Sequence, residues 1–151
     1  MKRTLLRRRT PLRNGARLRR ADPGHARPRD TGPSRRTRGL VLARDSWRCV
    51  CCGRSVIGQA HDLQHRDARG MGGTSNPLAN SAANLLTMLR DHHRRVESRI
   101  DPEDNAKGYW LRMGESPLLT PVMVFSPGGP GVTAWPTLDG RYVFEAPVGA
   151  A

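Results

Sequence analysis

The chain has 151 residues, of which 36% are hydrophobic and 5% aromatic, so it has room for one domain with a small core and not for a compact globule spanning its whole length. Its net charge of +13 is unevenly placed: residues 1 to 40 carry 14 Lys and Arg against Asp22 and Asp30, while the remaining 111 residues carry 12 against 11. The positive charge is therefore a tail on a nearly neutral body, no run of about 18 apolar residues is present to cross a membrane, and three cysteines crowded at Cys49, Cys51 and Cys52 exclude a disulfide framework.

Residues 1–33 alternate arginine with Pro, Gly and Asp. Such a segment lacks the apolar content to offset the entropy of ordering, so a disordered basic arm is expected. Arginines neutralising phosphates release condensed counterions, which points to a nucleic-acid partner; the alternative is a solvated tail with none. The apolar core of MKRTLLRRRTPL is too short for a secretory signal, and an intracellular protein is expected.

Ser34 offers a helix cap before RRTRGLVLARDSW. In that helix Leu40, Val41 and Ala43 are expected to face a core and Arg35, Arg36, Arg38 and Arg44 to face water, with Trp47 as a core anchor. CVCCGRS reads as a tight knuckle in which Gly53 supplies a positive φ. Val56 to Arg66 has strand character, and a period of two puts Asp62 and Gln64 on one face and His61, Leu63 and His65 on the other. Residues 67–81 form a Gly/Ser/Asn-rich loop of the length that functional loops have. Asn84 leads into LLTML, a strand or helical turn, and Asp91 is placed to cap a helix DHHRRVESRI that Pro102 closes. Beyond Asp104, GYWLRM, PVMVF, VTAWP and RYVFEAP read as strands separated by SPGGPG and LDG turns.

The residues between His61 and Glu97 suit hydrolysis of a phosphodiester. That reaction needs a base for water, a divalent cation for the charge on phosphorus and the leaving oxygen, and a device holding both in register. Histidine suits the base because its unperturbed pKa, about 6.5, leaves it neutral yet able to accept a proton. His65, at a strand end facing a cationic loop, is the candidate. His93 and Glu97, four apart on a helix, share a face on which an imidazole and a carboxylate could hold one ion. Gln64 points away from His65 on the strand, and Arg66 and Arg69 are candidates to grip phosphates. The plainer readings are a hydrogen-bonded strand histidine for His65, surface residues for His92 and His93, pairing of Glu97 with Arg94, and a helix cap for Asn84.

Taken together, CxxC, QHRDARGMGG and NSAANLLTMLRDHHRRVES resemble the HNH endonucleases of the ββα-metal (His-Me finger) fold, most closely the small HNH proteins of bacteriophages. The resemblance covers about residues 40–112. It implies an α+β nuclease domain over residues 34–112 between the basic arm of 1–33 and a β-hairpin extension of 113–151. It also implies DNA as partner and substrate, with nicking or double-strand cleavage, in the cytoplasm of a bacterial host. His65 becomes the general base, Asn84 the clamp of the loop that orients it, and His93 the ligand of a divalent ion (Mg, Mn, Ni or Zn), with Gln64 and Glu97 as helpers. Gln64 departs from the family, which places Asp or His there; a neutral amide binds a hard cation more weakly, so metal affinity is expected to lean on His93, Glu97, water and the substrate phosphate, with Asp62 on the same strand face as a candidate helper. Relatives carry two CxxC pairs around a structural zinc. Here Cys49 and Cys52 match the first pair, but the second falls on Leu89 and His92, which leaves Cys49, Cys52 and His92 as three zinc ligands with Cys51 spare. A closed site takes four, so structural zinc and a reduced apolar knuckle both stand. Two further readings stand beside the enzyme: a non-catalytic nucleic-acid-binding protein with a degraded finger, and an accessory protein docking phage packaging components.

Overall fold

The computed structural model describes residues 32–68, 76–99, 101–129 and 131–150. The basic arm through residue 31 and the loop tip at 69–75, which contains Arg69, lie outside the described residues. The chain is α+β, made of short helices and two small antiparallel sheets.

Helix α1, Arg35–Arg44, starts where the Ser34 hydroxyl accepts from the Thr37 N–H at 3.0 Å, capping an otherwise orphan donor. After the cysteine knuckle comes strand β1, His61–His65. A 3-10 turn at Ala82–Asn84 leads into β2, Leu85–Leu89, all five of whose residues are buried. The two strands pair antiparallel with His65 opposite Leu85 and His61 opposite Leu89. Helix α2, Arg90–Ser98, follows β2 without a loop and ends at Arg99, whose φ of 53° is left-handed. A short helix α3, Pro102–Ala106, is capped by the Asp101 side chain. Strands β3 (Val122–Val124), β4 (Val132–Pro136) and β5 (Tyr142–Val143) form the second sheet in that order.

The main core gathers Cys49, Val50, Val56, Leu86, Met88, Val96, Tyr109 and Val122, so knuckle, first sheet, α2 and second sheet share one apolar cluster. A smaller cluster joins Val41 of α1 to Ala82 and Leu85, with Leu63 against it. The two faces of the β1–β2 pair thus have different neighbours: Leu63 meets the α1 cluster, whereas Asp62 is bonded to Arg90 of α2.

Several local expectations are overturned. Trp47 is 45% exposed, not a core anchor; its φ of 55°, next to Ser46 at 52°, turns the chain sharply out of α1. Arg44 is not wet. Its side chain is 1% exposed and paired with Asp45, and it donates to the carbonyls of Ala82 and Leu85 at 2.7 and 2.6 Å. Asp45 in turn accepts from the Thr87 N–H and from the Tyr142 hydroxyl, both at 2.8 Å, fastening α1, β2 and β5 at one buried point. Burial then raises the Tyr142 pKa well above the ordinary phenol value. β1 is shorter than Val56 to Arg66, GYWLRM is not a strand, and Pro102 opens α3 where it was expected only to close a helix. Asp91 lies in the first turn of α2 and the cap position falls on Leu89.

Arg66 is the largest correction. Expected at a phosphate, it is fully buried, and its guanidinium donates to the carbonyls of Gly108, Pro117, Thr120 and Pro121 at 2.7 to 3.1 Å. Burial brings its pKa down to about 10, and the carbonyl dipoles take the place that a carboxylate holds in an ion pair. Gly108 is required there: its φ is +71°, and a Cβ would run into the Pro121 carbonyl. Arg66 therefore staples residues 108–121 to the end of β1. Arg66→Met strands several buried acceptors, so urea denaturation should show a loss of about 3 kcal/mol or more, with nucleic-acid affinity of the folded protein unchanged. Unchanged stability with weakened nucleic-acid binding would return Arg66 to the phosphates.

Candidate functional site

Two groups of polar side chains lie on or against the strand–strand–helix segment, and α2 carries a histidine into each. The first group is at the loop end of the β1–β2 pair. Asn84 is fully buried: its Oδ1 accepts from the Asp67 N–H at 2.7 Å, and its Nδ2 donates to the carbonyls of Asp67 and Ala79 at 3.1 and 3.0 Å. One amide thus joins the two ends of the long loop. The pairing is extended by Arg66 N–H to Asn84 O at 2.9 Å. His65, half-buried, stands two residues before the clamped Asp67, with Nε2 3.2 Å from Asn80 Oδ1. Asn80 was not foreseen; nothing in a spacing of 15 residues marks it, and only closure of the loop brings it there.

On the other face of β1, His93 of α2 lies between two carboxylates. Its Nδ1 is 3.6 Å from Asp62 Oδ2 and its Nε2 is 3.5 Å from Glu97 Oε1, the latter set by the one-turn spacing of 93 and 97. Because the carboxylates face different ring nitrogens, each nitrogen has one carboxylate as neighbour. Arg90 also holds Asp62, through Nε at 3.1 Å and Nη2 at 3.2 Å, and this pairing lowers the Asp62 pKa, with His93 and His61 adding to it. Gln64 is 4% exposed, and its amide nitrogen donates to the His65 carbonyl at 2.9 Å, anchoring the strand end. The structure brings His93, Glu97 and Asp62 together, and sets Asn84 beside His65. Alternation along β1 starts the His65 side chain on the face opposite Asp62 and Gln64, at the edge where the sheet stops.

The second group is sulfur-rich. The side chains of Cys49, Cys51 and His92 have ligand atoms all within 4.8 Å of one another, a group that could hold a metal ion. Cys49 Sγ is 3.2 Å from His92 Nδ1. The Cys51 thiol leads in drawing the Cys49 pKa below the ordinary thiol range, helped by the Leu89 backbone and His92 against the effect of burial, while the same contact and burial push Cys51 up. The expected trio of Cys49, Cys52 and His92 is corrected in one member: Cys51 takes the place of Cys52. The cause is the knuckle's turn, in which Gly53 at φ 70° donates to the Cys49 carbonyl at 2.8 Å, and a Cβ on Gly53 would strike the Phe125 ring. Cys52, partly buried, lines the same cavity as Cys51 and His92 but is outside the group of close ligand atoms.

No family model matches the chain, and neither a curated protein nor a solved structure matches it.

Removing the Asn84 amide by Asn84→Ala should lower stability by about 2 to 4 kcal/mol, since buried partners on both loop ends lose their bonds, and should speed hydrogen exchange at the Asp67 amide; retained protection there would show that the loop closes without it. For Asp62, Arg90→Ala should raise the carboxyl pKa in a side-chain NMR titration. The folded pKa is depressed, so the pair stabilises above the unfolded carboxyl pKa and its contribution disappears as pH falls through the folded one. The wild-type and R90A stabilities should therefore converge in acid, and a gap that persists below both pKa values would reject the assignment.

Proposed function

We propose that the chain is a metal-dependent endonuclease of the HNH, ββα-metal type that hydrolyses DNA phosphodiester bonds. The observation that carries this reading is the pairing, on one strand–strand–helix unit, of a loop-closing Asn84 beside His65 with a His93 flanked by Asp62 and Glu97. An imidazole beside a carboxylate is a nitrogen–oxygen donor pair of the kind divalent magnesium, manganese, nickel or zinc accept, and His93 has one such pair at each ring nitrogen, with Asp62 at Nδ1 and Glu97 at Nε2. In this reading His93 and Glu97 would hold the ion through Nε2, and Asp62, which faces Nδ1, would join only by leaving Arg90 and turning around the ring. Gln64 serves the strand end through its bond to the His65 carbonyl.

When bound, the ion supplies positive charge to the phosphate and the leaving oxygen. His65 takes the proton from the attacking water. Asn80 Oδ1 orients its ring, and in the tautomer that protonates Nε2 the basic lone pair is on Nδ1. A water oxygen bonds to phosphorus, the bond to the leaving sugar oxygen breaks, that oxygen takes a proton from solvent to leave as the alcohol, and the proton on His65 passes to solvent. Asn84 acts through the loop: by fixing Asp67 and Ala79 it sets the position of His65 relative to the phosphate. Arg90 competes for Asp62, so metal affinity at that carboxylate carries the work of opening an ion pair. Exposed Arg94, on the same helix as His93, and the arginine-rich arm supply phosphate contacts with steep salt dependence.

A second reading is favoured by one observation. Asp62 is engaged by Arg90, and the Gln64 amide by the His65 backbone, which fits a finger that binds nucleic acid without cutting it. Plasmid nicking separates the two. With Mg²⁺, Mn²⁺ or Ni²⁺ and a chelator control, wild-type protein should nick, and His65→Ala should lose at least about a hundredfold in rate while keeping DNA affinity. Undiminished nicking by His65→Ala would refute the base assignment, and metal-independent or absent nicking by the wild type would favour the binding protein.

A further inference from the structure

We infer that Cys49, Cys51 and His92 form an exchangeable site for one thiophilic d10 cation, zinc or copper(I), and not a metal staple on which the fold depends. This inference is independent of the nuclease reading. Two thiols and an imidazole lie within 4.8 Å of one another, and the Met88 thioether is 3.9 Å from Cys51 Sγ. Sulfur-rich donors of this kind select soft ions and leave magnesium or manganese to oxygen-rich sites. The protein supplies three strong ligands, one short of the closed tetrahedron of a structural zinc site.

The knuckle also holds its shape through bonds that need no ion. Cys49 N–H donates to the Arg54 carbonyl at 2.9 Å, Val50 N–H to Thr87 at 3.0 Å, and Phe125 N–H to the Val50 carbonyl at 2.9 Å. Cys49, Val50 and Val56 sit in the main apolar cluster with Leu86 and Met88. Ordering of this segment is thus provided by backbone pairing and packing, whereas a metal-dependent knuckle obtains its folding free energy from the ion. Two of the ligands, Cys51 and His92, line a cavity of about 340 Å³ whose other walls include Cys52, Arg95, Lys107 and Tyr109. An ion seated there has an open approach, and chelators can reach it.

The site has one consequence for the rest of the molecule. His92 and His93 are adjacent on α2 and turn to different partners, Cys49 and Asp62. An ion on His92 would therefore lie one residue along α2 from His93, on a different side of the helix.

The test uses the full chain, reduced and stripped of metal, titrated with Zn²⁺ and, in a separate anaerobic arm, with Cu(I); Co²⁺ serves as the spectroscopic probe. One equivalent of zinc or copper(I) should bind, and the cobalt form should show charge-transfer absorbance from two thiolates. Alkylation of the zinc-loaded protein should label Cys52 and spare Cys49 and Cys51, a readout on the unmutated chain that does not depend on any variant folding. Cys51→Ser should weaken binding at least about tenfold, Cys52→Ser should leave it unchanged, and removal of the ion should leave the far-ultraviolet circular dichroism in place, with the apoprotein still unfolding cooperatively at a Tm lowered only by the loss of one bound ion. The proposal is overturned by absence of stoichiometric binding, by protection of Cys52 in place of Cys51, or by unfolding on chelation.

Discussion

The buried side-chain amide of Asn84 is the constraint on which the arrangement depends. Residues 66–84 separate β1 from β2, and closing such a connection costs entropy that two short strands repay poorly on their own. Asn84 meets that cost with a three-bond clamp to Asp67 and Ala79, in a place where water cannot compete. With the loop ends joined, the register places His65 opposite Leu85, and β2 runs without a break into α2. The position of His93 over β1 follows from that register, because α2 begins one residue after β2 ends.

Around this unit the protein uses arginine as an internal fastener. Arg66 gathers four carbonyls from residues 108–121, and Arg44 with Asp45 ties α1, β2 and Tyr142 of β5 together. With few large apolar side chains available, the second sheet is joined to the first by buried hydrogen bonds as much as by area. Directional bonds of this kind fix orientation more sharply than apolar contact does. The His65 end of β1 inherits that rigidity, since Arg66 is its next residue.

Much of this was legible in the residues, and the remainder was not for definable reasons. The Ser34 cap, the Gly53 turn and the hairpins near SPGGPG and LDG announce themselves because local chemistry decides them, whereas LLTML, open between strand and helical turn, is settled by its pairing with β1. The proximity of Glu97 to His93 is likewise local, a matter of helical spacing. Arg44, Arg66 and Trp47 misled because charge and aromaticity were read as exposure and burial. Only long-range closure reveals that an arginine faces carbonyls 42 to 55 residues away, or that two successive left-handed residues turn a tryptophan outward. Cys51 and Cys52 are indistinguishable by composition, and the choice between them is made by the phase of one glycine turn.

The central claim is that His93, with a flanking carboxylate from Glu97 or Asp62, holds a divalent ion against β1, the strand that ends in His65. Paramagnetic broadening by sub-stoichiometric Mn²⁺, read residue by residue in an NMR spectrum of the labelled chain, tests it most directly. The account predicts selective loss of signals from Asp62, His93, Glu97 and His65 that excess Mg²⁺ restores. Broadening confined to Cys49, Cys51 and His92, or spread evenly over the surface carboxylates, would contradict it.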